Sequence, residues 1–149
     1  MRLRMILLKG CVAFVCVSLA LVCAAQRRPC TESQQREAMS IQPKDWNGFY
    51  AAFRSLGQCD DGAPAENFSD ITVRLLARDW KDITDLVKLA ASDRAFQRFV
   101  LKHVDATTDP DDLKAVVSNA RRRCPAAAIQ LCRALASQAR SALRESETQ

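Results

Sequence analysis

The sequence has little of what catalysis in small proteins usually requires. Its 149 residues include a single histidine, His103. A Ser-His-Asp or Cys-His arrangement would need this residue as its base. However, His103 falls on the apolar side of a predicted helix, beside Phe99 and Val100. We therefore interpret it as a half-buried structural histidine and predict that the protein is not an enzyme and has no catalytic residues.

Patterns that bind metals are also missing. A zinc site would use a close Cys-X-X-Cys pair or histidines at ligand spacing, and neither occurs. The densest acidic segment, with Asp60, Asp61 and Glu66, lacks the alternating acids and glycine of an EF-hand. Asp60 and Asp61 are typical of a turn, and Glu66 suits the first turn of a helix. We expect no metal and no cofactor; the alternative for this loop is a calcium site or a carboxylate pair that hydrolyses glycosides.

The sequence has no stretch in which apolar and polar residues alternate long enough to indicate a β-strand. Apolar residues instead recur at steps of three and four, most clearly in Trp46, Phe49, Tyr50, Phe53 and Leu56. Later helices are expected to begin near residues 64–66, 82, 92, 109 and 126, and a short, loosely attached helix is expected over 32–39. The last helix, from Ala126, is expected to bury Ile129, Leu135, Ala139 and Leu143. The sequence predicts an all-α protein, a single irregular or orthogonal bundle of five or six helices.

No apolar run is long enough to span a bilayer comfortably. Residues 11–25 form the longest run, 15 residues, whereas about 20 are needed. Basic residues precede this run and Ala24 and Ala25 end it, which is typical of a cleavable signal peptide. We predict export, to the periplasm in a bacterium and otherwise by secretion, without stable membrane insertion after cleavage; a retained anchor is the alternative. The expected organisation is a signal peptide (1–25), a polar N-terminal segment (26–44), a helical domain (45–145) and a frayed tail (146–149).

Four cysteines follow the predicted signal peptide: Cys30, Cys59, Cys124 and Cys132. An even number in a small exported chain favours two disulfides. Eight residues of helix span about 12 Å, beyond the 4.4–6.8 Å between α-carbons that a disulfide tolerates. This argues against Cys124–Cys132 unless the last helix begins late. Both other pairings join the two halves of the chain, and we favour Cys59–Cys124 with Cys30–Cys132.

Positive charge is concentrated near the C-terminus. The whole chain carries +5, and Arg2, Arg4 and Lys9 of the signal peptide account for three of these charges. Residues 26–112 have a net charge of −3 and residues 113–149 a net charge of +5. Arginines at a helix end can simply complement its dipole, but their number here predicts a surface for an acidic protein partner. The candidate residues are Arg121, Arg122, Arg123, Arg133, Arg140 and Arg144.

These observations leave three functional hypotheses. The first is a small exported protein that acts by binding another protein, as an inhibitor or a toxin-neutralising protein. The second is a carrier of a small apolar ligand, with a cavity lined by Phe49, Phe53, Phe96 and Phe99. The third is a hydrolase that uses the acidic-loop carboxylates. Nucleic acid is not an expected partner, because no aromatic residues are interspersed among the C-terminal arginines.

Overall fold

The computed structural model describes residues 29–148. Seven α-helices and no strands occur in this range, which confirms the all-α prediction with more helices than the five or six expected. The predicted signal peptide, residues 1–25, lies outside the described residues. The helices are α1 (Glu32–Ser40), α2 (Trp46–Leu56), α3 (Gly62–Arg78), α4 (Ile83–Ser92), α5 (Arg94–Lys102), α6 (Pro110–Arg122) and α7 (Ile129–Ser146). Short 3₁₀ turns precede α3, α4 and α7, at Gly57–Cys59, Trp80–Asp82 and Ala126–Ala128.

Side-chain caps fix where most of these helices begin. Aspartates 45, 61, 93 and 109 each accept a hydrogen bond from a backbone N–H in the first turn of α2, α3, α5 and α6. These bonds satisfy donors that have no partner inside the helix. At the start of α3, Gly62 has φ = +56°, a left-handed conformation that glycine adopts without strain. None of the helices in residues 29–148 combines the length and apolar character that crossing a bilayer requires.

Phenylalanines from three helices form the centre of the fold. Phe49 of α2 lies against Phe68 of α3 and against Phe96 and Phe99 of α5, with ring centroids 5.9 to 6.3 Å apart. Phe49, Phe68 and Phe96 have no exposed surface. Offset and edge-to-face pairs of this kind add to the free energy gained by burying apolar area. We call these four residues the aromatic core.

The last two helices pack along each other as a hairpin of a different composition. No Phe, Tyr or Trp occurs after Phe99, so α6 and α7 bury aliphatic and small side chains, including Leu113, Val116, Ala120, Leu131, Leu135, Ala136, Ala139 and Ala142. Asn119 joins the hairpin to α3, because its amide donates hydrogen bonds to the Leu76 and Ala77 carbonyls at 3.1 and 3.0 Å. We refer to α6 and α7 together as the α6–α7 hairpin.

Two disulfides are present, as predicted, but the favoured pairing is wrong. The bonds join Cys30 to Cys59 and Cys124 to Cys132. Neither bond connects the N-terminal half of the chain to the C-terminal half. Each cysteine is joined to its neighbour in sequence.

The error came from the expected start of the last helix. Residues Pro125 to Ala128 form an extended residue and a 3₁₀ turn, and α7 begins only at Ile129. The chain therefore turns between the two cysteines and does not run straight, which places their α-carbons 6.1 Å apart instead of about 12 Å. This distance lies inside the range that a disulfide tolerates.

The N-terminal segment is attached more firmly than its polarity suggested. Ala38 of α1 is completely buried, and the Asn67 side chain of α3 donates to the Ala38 and Ile41 carbonyls at 2.8 and 3.2 Å. The Cys30–Cys59 bond ties the segment to the end of α2. Helix α1 therefore packs on the same core as the residues that follow it.

Candidate functional site

A groove on the α6–α7 hairpin is lined by three of the predicted partner-surface arginines. Arg121 comes from α6, and Arg133 and Arg140 come from α7. Arg133 and Arg140 lie on the same side of α7 because seven residues make about two helical turns. Small residues, the second disulfide and one isoleucine complete the lining: Ala120, Cys124, Ile129, Cys132 and Ala136. We call this space, about 620 Å³ in volume, the arginine groove.

The charges of the arginine groove have no acidic partners among residues 29–148. Arg121, Arg133 and Arg140 are exposed, and within residues 29–148 none of them lies within 4.0 Å of a carboxylate oxygen. Like charges that converge on a concave surface strengthen the local positive potential and attract anionic groups. The groove can therefore accept carboxylates without first breaking ion pairs of its own.

The other three candidate arginines point elsewhere. Arg122 lines a neighbouring hollow of about 400 Å³, which also includes Arg121. Arg123 donates to the Asn119 side chain at 3.4 Å, and Arg144 donates to the Ser141 hydroxyl at 3.5 Å. Successive residues of a helix are rotated by about 100°, so three consecutive arginines cannot all face one groove. Sequence spacing identified the charged segment but not which of its members converge.

Ile129 was expected in the core, but 46% of its surface is exposed. It is the first residue of α7, so no preceding turn of α-helix covers its side chain. An exposed apolar side chain at the edge of a charged groove offers a contact for an apolar group of a partner. Sequence periodicity placed Ile129 among the buried residues because it assumed that the helix began three residues earlier.

His103 is the centre of a buried polar cluster. Its side chain is 1% exposed, so it is fully and not half buried. Nδ1 lies 2.9 Å from the Ser69 hydroxyl, and that hydroxyl donates to Asp105 at 2.6 Å. Nε2 lies 3.1 Å from Oδ1 of Asp60, although the two atoms are not aligned as a hydrogen bond. With Nδ1 protonated, a neutral ring completes a chain of two hydrogen bonds from His103 through Ser69 to Asp105.

The environment of this cluster favours a neutral histidine and a charged Asp105. Burial lowers the pKa of His103 below its usual 6.5 and outweighs the nearby Asp60, which raises it. Burial alone would raise the pKa of Asp105, but hydrogen bonds from Ser69 and Thr107 hold it below its usual value. Ser69 is itself 1% exposed, so no substrate can reach its hydroxyl. The arrangement resembles a catalytic triad in composition only, because the Ser69 hydroxyl lies between His103 and Asp105. Within residues 29–148, Nε2 of His103 and Oδ1 of Asp60 are buried without a hydrogen-bond partner.

The acidic-loop residues have separate structural roles. Asp60 forms an ion pair with Lys102 at 2.6 Å and faces His103 with its other oxygen. Asp61 caps α3 by accepting from the Gly62 N–H at 2.9 Å, and Glu66 is exposed. Within the described part of the chain, no group of three His, Cys, Asp or Glu side chains is placed to hold a metal ion. Nothing in this geometry supports the hydrolase hypothesis.

The phenylalanines of the carrier hypothesis pack against one another. Phe53 lies 5.3 Å from Phe96 and 4.8 Å from Phe99, measured between ring centroids, and Phe49 fills the space beneath them. Close packing of this kind leaves no enclosed space between the rings. Phe53 and Phe99 do line a surface hollow of about 730 Å³, but it is bordered by charged side chains, including Arg98 and Lys102, and does not have the apolar lining that the carrier hypothesis requires.

Comparisons with known protein families, with characterised proteins and with solved structures find no match for this chain.

Proposed function

We propose that this chain is an exported protein that acts by binding an acidic protein partner through the arginine groove. The observation that carries the proposal is the convergence of Arg121, Arg133 and Arg140 on one groove, with no carboxylate partner among residues 29–148. Guanidinium groups bind carboxylates through paired hydrogen bonds, which gives geometric specificity as well as attraction.

Export is supported by the chemistry of the cysteines. Two disulfides are typical of proteins that fold in an oxidising compartment. The basic and apolar pattern of residues 1–25 is consistent with a signal peptide that would deliver the chain there. In a bacterium this compartment would be the periplasm, and in other organisms the chain would be secreted.

The lining of the arginine groove favours protein over nucleic acid as the partner. Proteins that bind single strands combine basic grooves with aromatic side chains on which bases stack, and no Phe, Tyr or Trp occurs after Phe99. The groove instead combines guanidinium groups with Ile129 and alanines. This mixture of charge and small apolar surface suits carboxylates presented on a folded protein.

A helical bundle that is cross-linked by two disulfides suits a stoichiometric binding role such as enzyme inhibition or toxin neutralisation. A surface that is already ordered loses little conformational entropy when it binds. The Cys124–Cys132 bond lies in the wall of the groove and fixes the start of α7 beside α6. The binding surface is thereby held in one shape before the partner arrives.

The test is to capture partners from the extracellular or envelope fraction of the source organism with three forms of the chain. The wild type, R121Q/R133Q/R140Q and the charge-matched control R36Q/R94Q/R98Q are used as bait at low and at physiological salt. We expect the wild type and the control to retain one acidic protein in stoichiometric amount and the groove variant to lose it. The purified complex should weaken as salt rises, because the Debye length falls to about 8 Å at physiological ionic strength.

All the substituted arginines are exposed, so both variants should unfold within about 0.5 kcal/mol of the wild type. Circular dichroism and urea denaturation check this point. Equal retention of the partner by the groove variant and the wild type would contradict the proposal.

A further inference from the structure

The residues of α7 that face the arginine groove form a single stripe. Ile129, Arg133, Ala136 and Arg140 follow one another at steps of four, three and four residues, and Cys132 lies three residues after Ile129 and four before Ala136. Residues at these spacings lie above one another on the same side of a helix. The stripe extends over about 16 Å from Ile129 to Arg140, at 1.5 Å per residue.

The lining between the arginines is small enough to admit another backbone. Ala120 and Ala136 have only methyl side chains there and are 5% and 4% exposed, and Cys132 is 3% exposed. The floor of the groove is therefore low, and a partner would contact mainly the guanidinium groups and Ile129 that rise above it. Neighbouring helices pack with their axes about 8–10 Å apart, and small contact residues allow the shorter distance. A third helix could therefore lie along the groove and make a three-helix arrangement with α6 and α7.

The spacing of the two α7 arginines distinguishes a helical from an extended partner. Arg133 and Arg140 are about 10.5 Å apart along the axis of α7. Two carboxylates seven residues apart on a partner helix have the same spacing along the axis, and both lie on the side of the helix that faces the arginines. An extended strand presents same-side residues about 6.7 or 13 Å apart, so its carboxylates match this spacing less closely than those of a helix.

We propose that the arginine groove binds an amphipathic acidic helix whose carboxylates are seven residues apart and whose neighbouring turn presents an apolar side chain to Ile129. Ile129 precedes Arg133 by four residues, so the apolar side chain lies one turn from the nearer carboxylate. Arg121, on the opposite wall, contacts a further acidic group of the same helix. This inference rests on the proposed function and specifies the form of the partner.

The probe is a capped, lactam-stapled helical peptide of about 18 residues, with two glutamates seven residues apart and a leucine four residues beyond one of them. One version places the leucine before the glutamates and a second places it after them, which covers both helix directions. The control peptide has the same composition and staple but has its glutamates five residues apart, on different sides of the helix. A disordered glutamate-rich peptide of equal charge is the third probe. Binding is measured by fluorescence anisotropy at low salt.

We expect one of the two designed peptides to bind at least tenfold more tightly than the control peptide. R133Q/R140Q should weaken this binding at least tenfold and Ile129→Ser about fivefold, while R36Q/R98Q should have little effect. Equal affinity for the designed and control peptides, or designed-peptide binding that R133Q/R140Q leaves unchanged, would overturn the helix inference. Binding of the disordered peptide alone would overturn it too, and would leave the proposed acidic partner standing. If none of the peptides binds at low salt, the helix inference is overturned, and the proposed function is decided by the capture experiment with the groove variant.

Discussion

The aromatic core and the α6–α7 hairpin are packed with different kinds of side chain, aromatic in the first and aliphatic or small in the second. Around the core, large rings from α2, α3 and α5 fill the interior with few side chains. In the hairpin, alanines and aliphatic residues let two helices lie close along much of their length. Large rings bury more apolar area per residue, so most of the stabilisation per residue should come from the first region.

The two regions also treat charge differently. Around the aromatic core, Lys102 is paired with Asp60 and Arg54 with Asp93, although Arg94 and Arg98 of α5 have no ion pair within residues 29–148. In the arginine groove, among the described residues, none of the three guanidinium groups has such a partner. Under the proposed function, the first region holds the fold together and the second binds the partner.

The largest expected effect is the removal of a central ring. Phe49→Ala should lower the free energy of unfolding by about 3–5 kcal/mol, because Phe49 is completely buried among other rings. Ala139→Gly, at a completely buried position of α7, should lower it by about 1 kcal/mol. Urea denaturation measures both changes. Similar losses for the two variants would mean that the hairpin stabilises the fold as strongly as the aromatic core does.

The two disulfides should contribute different amounts to the free energy of unfolding, and this difference is smaller than the one between the two substitutions above. Their cysteines are 29 and 8 residues apart, and loop-closure entropy then gives about 3.6 kcal/mol for the first bond and about 2.5 kcal/mol for the second. Replacing each pair by alanine and measuring unfolding in urea tests this order. A larger loss for C124A/C132A than for C30A/C59A would show that the hairpin depends on its disulfide more than loop length implies.

The smallest expected effect is the change in the free energy of unfolding with pH. It involves His103, which is buried beside the aromatic core. Burial lowers the pKa of His103 below 6.5, so the unfolded chain takes up a proton before the folded protein does. Stability should therefore be fully present above pH 6.5 and should fall as the pH is lowered from 7.5 to 5. The arginines of the groove stay charged over this range and contribute nothing to the change.

Unfolding curves of the wild type and His103→Gln at several pH values test this prediction. The variant should be less stable at pH 7.5, since it disturbs the hydrogen bonds to Ser69, but its stability should change less between pH 7.5 and 5. A wild type that becomes more stable on acidification would show instead that the folded protein holds His103 charged against Asp60.

Most of the helical architecture could be predicted from sequence, because it depends on local signals. Apolar spacing located α2 within one residue, and aspartates at 45 and 109 marked helix starts that the structure confirms. The disulfide pairing could not be predicted, because it depends on a single turn between Cys124 and Ile129. Three alanines in a row have high helix propensity, yet residues 126–128 form a 3₁₀ turn.

The candidate site could be predicted only in part, for a similar reason. Net charge identified the arginine-rich segment, but the choice among its six arginines depends on helix phase and on the position of α6 beside α7. The exposure of Ile129 depends on where α7 begins, so the same boundary that changed the disulfide pairing also changed the site. The cluster of Ser69, His103 and Asp105 was not predicted, because Ser69 lies more than 30 residues before the other two and meets them only in the tertiary structure.

The order of the cysteines along the chain has a consequence for biosynthesis. Cys30 pairs with Cys59 and Cys124 with Cys132, so once Cys11, Cys16 and Cys23 leave with the predicted signal peptide, each remaining thiol has its native partner as the adjacent cysteine in the sequence. The first bond can close before the second pair of cysteines has been made. Oxidation in order of appearance therefore yields the native protein directly, and maturation should not require an isomerase to exchange incorrect pairs.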